Sequence, residues 1–378
     1  MPVNVTIIGS GFAALAAIRT LRRMDAGRSL AVTVIAPQAR FVYLPSLIWV
    51  PSGTRRGSDL IVPLEDFFAR MGVTFHQAEC LGLREGGRIV VTTQGEVRND
   101  ALLIASGASY LRKAPGIDHT LNPCSGIQPA ERFRAWLQRW RGGRIAMGFA
   151  GNPDEPSAVR GGPLFEFLFC LHTQLLRENR RESCKLTFFS PMAEPGKRLG
   201  PHAVRQLLGA MERRNIATRL GEKIVAFRED RVVTAGGEIK ADVTLFIPGM
   251  TGSPWFGNCG VPLSPGGFFI ADEACRVVGT ERVWVAGDAG SFPGPEWRAK
   301  QAHMAELQAE AAAINLIHTL HGRPSHVTFR NELICIVDSL DRGTLVSRFS
   351  RFNLMLPALK SMHWVKKFLE TKTLHRYR

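Results

Sequence analysis

The chain has no apolar run of the ~18–20 residues that a membrane-spanning helix requires. Its opening, Met1-Pro2-Val3-Asn4, carries neither the basic flank nor the apolar stretch of a secretory leader. Acids are scarce: 33 Asp+Glu stand against 48 Lys+Arg, a formal charge of +15. Such a surplus points to a polyanionic partner, either nucleic acid or an anionic membrane face. A recognition-helix pattern and a stacking-sheet motif are both missing, so nucleic acid is set aside. The seven cysteines (80, 124, 170, 184, 259, 275 and 335) are odd in number and never closer than fourteen residues. That spacing excludes C-x-x-C redox motifs and zinc knuckles, so no metal site is expected. It also argues against a disulfide scaffold and for a cytoplasmic enzyme.

What is present starts at once. Val3-Asn4-Val5-Thr6-Ile7-Ile8 reads as a buried strand, and Gly9-Ser10-Gly11-Phe12-Ala13-Ala14 follows it. An Ala- and Leu-rich helical stretch runs to about Met24, and Ala31-Val32-Thr33-Val34-Ile35 is a second strand. This is a βαβ unit opening with G-x-G-x-x-A, the pattern of a dinucleotide phosphate loop. Gly9 permits the tight turn, Gly11 lets a pyrophosphate approach the backbone, and Ala14 allows close helix–strand packing.

The chain then repeats itself. Residues 88–100 form a Gly-containing hairpin leading into Leu102-Leu103-Ile104-Ala105-Ser106-Gly107. Residues 231–242 form another, leading into Leu245-Phe246-Ile247-Pro248-Gly249. Upstream, Val32-Thr33-Val34-Ile35-Ala36-Pro37 echoes Leu186-Thr187-Phe188-Phe189-Ser190-Pro191. The expected fold is therefore α/β, with two dinucleotide-binding (Rossmann-like) domains, the second nested in the first, plus a C-terminal amphipathic helical region. The expected divisions are 1–112, 113–242, 243–320 and 321–378. The second copy has lost its phosphate grip, because Phe149-Ala150-Gly151-Asn152-Pro153-Asp154-Glu155-Pro156 replaces the glycine loop. NAD(P)H is disfavoured there.

Together these residues resemble the flavoprotein disulfide-reductase superfamily, and within it the sulfide:quinone oxidoreductase and flavocytochrome c sulfide dehydrogenase branch. The resemblance covers essentially the whole chain. It implies FAD on the loop Gly9, Ser10, Gly11, Phe12, Ala13 and Ala14. Ala105 and Gly107 lie in a stretch like the family's "ATG" strand. Val283-Trp284-Val285-Ala286-Gly287-Asp288 is similar to its late "GD" motif, where the carboxylate holds the ribityl hydroxyls. Lys300 and Gln301 open an Ala-rich helix whose N-terminus is expected to face the flavin pyrimidine edge; a solvated lysine at a helix start is the plainer reading. At the end of the second strand Gln38 stands where an acid would bind the adenosine ribose, and is expected to substitute for it.

The tail Met362-His363-Trp364-Val365-Lys366-Lys367-Phe368-Leu369-Glu370 is similar to the H-W-x-K-x-x-x-E ending of membrane-associated members. Residue by residue, Leu359, Met362, Val365, Phe368 and Leu369 make an apolar stripe beside Trp364, with Lys360, Lys366 and Lys367 off it. That is a basic amphipathic helix able to lie on anionic lipid, or one packed on the protein's own core with its lysines solvated. The expected location is the cytoplasmic side of the membrane, peripheral and without a signal peptide. A homo-oligomer is compatible with all of this.

The redox residues depart from the family pattern. Cys335 matches the family's C-terminal redox cysteine, and Cys124 the cysteine on the loop between the halves. Ahead of Gly162-Pro163-Leu164-Phe165-Glu166-Phe167, Arg160 stands where the central cysteine is expected. Three readings stay open. Cys335 works with Cys124 in a variant oxidiser of sulfide or a small reduced sulfur donor, with quinone as acceptor. Alternatively, a quinone reductase takes another donor such as NADH, and Cys335 is a packing residue. Or the chain is a non-catalytic, membrane-docked flavin-binding module. Arg160 suits any of them, as a guanidinium able to hold an anion near the flavin. The aromatic segment 41–50 lines a quinone channel or fills inter-domain core.

Overall fold

A computed structural model describes residues 3–378. The apolar β-branched segments read from the sequence pair as two five-stranded, all-parallel sheets of the same design. In the first, the strands run Val283–Val285, Ala101–Ile104, Val3–Ile8, Leu30–Ala36, Val73–Gln77. In the second, they run Thr120–Leu121, Val243–Ile247, Gly143–Phe149, Cys184–Ser190, Ile216–Leu220. Parallel sheets are buried on both faces, which is why these strands are nearly continuous Val, Ile, Leu and Phe rather than alternating. Each sheet is followed by a three-stranded antiparallel meander, one at residues 80–98 and one at 224–240. The internal repeat thus appears as four strands in the same order, while the edge strand comes last in the chain in the first sheet and first in the second.

One boundary differs from expectation. Val243–Ile247 lies inside the second sheet, hydrogen-bonded beside Gly143–Phe149. The chain returns to the first sheet only with Val283–Val285, beyond the expected division at 243. A buried strand goes where unsatisfied backbone partners await it, and the second sheet needed its central neighbour.

Helices Phe12–Met24 and Ala302–Leu320 pack against each other beneath the first sheet. Both present alanine there: Ala13, Ala17, Ala309, Ala312 and Ala313 are buried. Small side chains let the two helix starts converge on one place. The C-terminal residues add an antiparallel sheet, Leu333–Asp338, Gly343–Phe349 and Phe352–Met355, and a final helix, Lys360–Tyr377. Among the described residues no helix is long and apolar enough to cross a membrane.

Candidate active site

The loop after the first strand is shaped by contact. Gly9 has φ +114°, and a Cβ there would stand 2.3 Å from the Ala105 carbonyl oxygen. Only glycine fits. Its N–H donates to Ile35 O at 2.8 Å, so the turn is tied to both neighbouring strands. At Gly11 a Cβ would meet nothing within 4 Å; the space beside it belongs to a cavity of about 1950 Å³. That exceeds the roughly 300–1,000 Å³ of a pocket for one small ligand, leaving room for a dinucleotide and a substrate together.

Gly9, Ser10, Gly11, Phe12, Ala13, Ala105, Gly107, Gly287, Asp288, Lys300 and Gln301 all line this cavity, as do Arg160, Cys124 and Cys335. Two expected residues do not. Ala14 is fully buried beneath the loop, where its smallness serves packing. Gln38 is exposed and outside the lining, because the chain turns at Pro37 before reaching it. A role for Gln38 at the ribose stays a proposal; Pro37 beside it and Glu79, after the third strand, line the cavity.

FAD was tested against these residues. The first-turn amides of Phe12–Met24 open on the cavity, as phosphate binding requires. Gly287 has φ +74° and sits between helices, a Cβ there standing 3.3 Å from that of Ala305 and 3.4 Å from that of Ala13. Its N–H donates to Gln308 Oε1 at 2.9 Å, which aims Asp288 into the cavity. Ser106 Oγ and Gln301 Oε1 line the cavity buried and without a hydrogen-bond partner among the described residues. Two orphaned polar atoms in such a wall are what a polar ring system would satisfy. The residues fit the cofactor.

Lys300 donates from Nζ to Asp288 O at 2.9 Å and to Gly290 O at 2.5 Å. Burial pushes its pKa down to about 8, with Asp288 opposing the fall. It is an inward-facing cation, and the plainer reading of a solvated lysine does not hold. Arg160 is also engaged: its guanidinium pairs with the Asp288 carboxylate and reaches Tyr110 Oη at 3.5 Å.

Cys335 faces this region from the C-terminal sheet. Its Sγ lies 3.9 Å from where a side chain at Gly162 would begin. Burial pushes the Cys335 thiol up to about 12, Glu166 adding to the rise and Lys366 opposing it. Burial likewise pushes Cys124 up to about 12, with Arg160 opposing. Both rest as protonated thiols. Cys170 is core, 3% exposed.

An ion pair close to Cys335 carried no role in the sequence reading. Glu166, on helix Gly162–Arg177, pairs with Lys366 of the final helix, and both line the cavity. Lys366 also donates to Ile336 O at 3.2 Å, directly beside the cysteine. Burial pushes Glu166 up to about 7, against the pull of Lys366. Two turns of buried polar contacts continue this grip. His363 Nδ1 lies 2.7 Å from Asp338 Oδ2, Trp49 donates to Asp338 Oδ1 at 3.0 Å, and Arg55 donates to Glu370 Oε1 at 2.6 Å. Glu166 and Lys366 sit in the G-P-x-x-E-F and H-W-x-K stretches already singled out, so their identity was visible while their meeting was not.

The final helix is therefore inverted. His363, Lys366, Glu370, Leu374 and Tyr377 face inward, while Trp364 is 66% and Phe368 64% exposed. Lys366, expected on the solvated side, is buried; the correction follows from Glu166 and Ile336 offering it partners in the interior. Segment 41–50 divides: Tyr43, Leu44, Leu47 and Ile48 line the cavity, whereas Trp49 is core.

Comparisons with known proteins agree with this geometry. The model of the family described as "Pyridine nucleotide-disulphide oxidoreductase" matches residues 3–309. Sulfide-quinone reductase of Aquifex aeolicus is 24% identical, over 89% of this chain and 81% of its own. Type II NADH:quinone oxidoreductase of Staphylococcus aureus is 22% identical, over 99% and 95%. The crystal structure of the Aquifex aeolicus sulfide:quinone oxidoreductase superposes with a TM-score of 0.90, covering 100% of this chain and 91% of that one at 22% identity. With a glycine turn, an aspartate-tipped turn and the orphaned polar atoms converging on one dinucleotide-sized cavity, the chain belongs to the pyridine nucleotide-disulphide oxidoreductase family and is an FAD-dependent oxidoreductase.

Proposed function

We propose that the enzyme passes electrons from sulfide, or a related small reduced sulfur species, to a membrane quinone. The observation that carries this reading is one cavity holding both a cysteine and an apolar mouth. Leu44, Ile334 and Leu369 line the cavity and are also exposed, at 38%, 39% and 45%. Leu369 belongs to the same outward face as Trp364, Val365 and Phe368. A contiguous exposed apolar face rimmed by Lys360, Lys367 and Lys372 suits an anionic lipid surface. Its mouth admits a lipid-soluble acceptor without crossing water. The peripheral placement, on the cytoplasmic side, belongs to this proposal.

Bound FAD supplies the two-electron relay between donor and acceptor. The chain's own residues do the rest. Cys335 presents the sulfur, a thiol at rest, and Lys366 opposes the burial that disfavours its nucleophilic thiolate. Asp288, oriented by Gly287 and held by Arg160, positions the cofactor, as do Lys300, Gln301 and the loop at Gly9 to Ala13. Glu166 holds a transferable proton near neutrality, at the cavity wall a reduced quinone needs. Cys124 closes the same wall beside Arg160 and Tyr110.

Anaerobic titration of the purified protein tests this. Sulfide is expected to bleach the flavin band, and a short-chain quinone to restore it. Cys335→Ala is expected to lose the sulfide step while keeping the flavin. Bleaching by NADH but not by sulfide would replace this reading with the NADH one. A colourless, inert preparation would leave only the non-catalytic module.

A further inference from the structure

Another stretch of the cavity's exposed lining is charged rather than apolar. Glu194, Lys197 and Glu296 line it and are exposed, and Arg198, Arg348 and Trp297 form the wall just inside. Arg348 donates to Arg198 O at 2.8 Å and to Lys197 O at 3.5 Å, its guanidinium 5.1 Å from the Trp297 ring centre. Arg198 donates to the Pro156 carbonyl. Burial, with Arg298 close by, pulls the Arg198 pKa down to about 10. Among the described residues neither Arg198 nor Arg348 has a carboxylate within ion-pair distance. Of the acids nearby, Glu194 pairs with Lys197 at 3.8 Å and Glu155 with Arg298 at 3.6 Å, which leaves Glu296 exposed at the rim.

Two half-buried guanidinium groups without counter-ions are costly to keep unless something anionic passes them. Their position says where it goes. In the C-terminal hairpin Leu333 pairs with Arg348 and Cys335 with Val346. Arg348 and Cys335 therefore emerge on one face, two residues apart along the ladder, about 7 Å. An anion held at Arg348 would stand two ladder positions from the cysteine.

We propose that this basic mouth is the donor entrance, and that Arg198 and Arg348 select a small monoanionic sulfur nucleophile, hydrosulfide in the first instance. The neutral, apolar acceptor uses the apolar mouth, so the two substrates are sorted by charge before either reaches the flavin. This rests on the sulfur-donor reading above for the identity of the anion, while the entrance itself can be probed without sulfide.

The probe is alkylation of Cys335 by iodoacetate, an anion, and by iodoacetamide, its neutral counterpart. In each, sulfur displaces iodide, and the labelled peptide is quantified by mass spectrometry. The iodoacetate-to-iodoacetamide rate ratio is referred to that of a free cysteine peptide in the same buffer. In the wild-type holoprotein the ratio is expected to exceed the peptide's by about tenfold, the scale of electrostatic focusing in a charged cleft. It should fall toward the peptide's in Arg198→Gln and Arg348→Gln and in high salt. Arg198→Lys, which keeps the charge, should restore it, and retained flavin absorbance shows that each variant is folded. Equal ratios in wild type and both Gln variants would overturn the entrance. A charge-selective ratio without flavin bleaching by sulfide would keep the entrance and remove sulfide as the donor.

Discussion

The two halves of this molecule share four strands in the same order and differ in the loop that follows the first of them. After the first strand, Gly9-Ser10-Gly11 leaves a hollow with helix amides behind it. After the equivalent strand Gly143–Phe149, residues 150–161 make a longer crossing pinned at several points. Asn152 Nδ2 donates to Met250 O at 2.9 Å, and Ser157 Oγ and Ser291 Oγ donate to Glu155 at 2.6 and 2.7 Å. The next helix does not begin until Gly162. A phosphate approaching there would meet a buried carboxylate and proline instead of free amides. Four corresponding strands in the same order thus produce a nucleotide grip in one copy and a strap in the other, because binding resides in the turn rather than in the sheet.

The sharpest way to break that contrast is to substitute the glycines. Gly9→Ala pushes a methyl against the Ala105 carbonyl and forces φ +114° on an L-residue. It should abolish flavin retention, read as the ratio of flavin to protein absorbance, and lower stability by about 1–3 kcal/mol in a melt. Gly151→Ala meets only the Met192 methyl at 2.9 Å and Val159 at 3.5 Å. The flexible methionine can move, so this variant should stay yellow with a melting temperature close to wild type. Equal flavin loss in both would mean that the second loop also holds the cofactor.

A smaller effect is expected at Glu166. Its carboxyl is raised to about 7 by burial, so the proton-bearing form prevails below that pH and is lost as pH rises through it. Quinone reduction by the flavin-reduced enzyme should therefore slow above about pH 7 in wild type. Glu166→Gln should be about 100-fold slower and flat across that range, by stopped flow. An unchanged pH profile would assign the proton elsewhere.

The smallest effect on the fold belongs to the outer face of the last helix. Phe368→Ser removes an exposed side chain, so stability should change by no more than about 0.5 kcal/mol. Liposome flotation should nevertheless weaken, by about 1.5–3 kcal/mol for a ring that lipid would have buried. Flotation that survives Trp364→Ser/Phe368→Ser together would refute membrane contact through this face.

These contrasts also mark what could be read early. The phosphate loop, the aspartate turn and the repeat are local patterns of glycine, β-branched runs and small residues, and the structure places them in the two sheets and one cavity. The final helix shows the limit. Its periodicity identified two faces, but an apolar stripe is ordinarily turned inward, and nothing local says that this one is left outside. That depends on Glu166 and Asp338 waiting in the interior for Lys366 and His363. Gln38 shows a related limit: a count from Ala14 reached the strand end, but which residues there line the cavity, Pro37 and Glu79 among them, depends on a bend and a more distant strand.

Strand and turn identity, the FAD-type loop and the presence of candidate sulfur ligands were determined by the amino-acid sequence itself, since each depends on neighbours a few residues away. The pairing of Glu166 with Lys366 spans 200 residues, and the meeting of Cys335 with helix Gly162–Arg177 is nearly as distant. Which thiols line the cavity, which lysine is buried and which part of the rim is charged were decided only when two sheets and a C-terminal hairpin closed around one space. Burial sets those properties, and burial is a property of the assembled fold rather than of any stretch of chain.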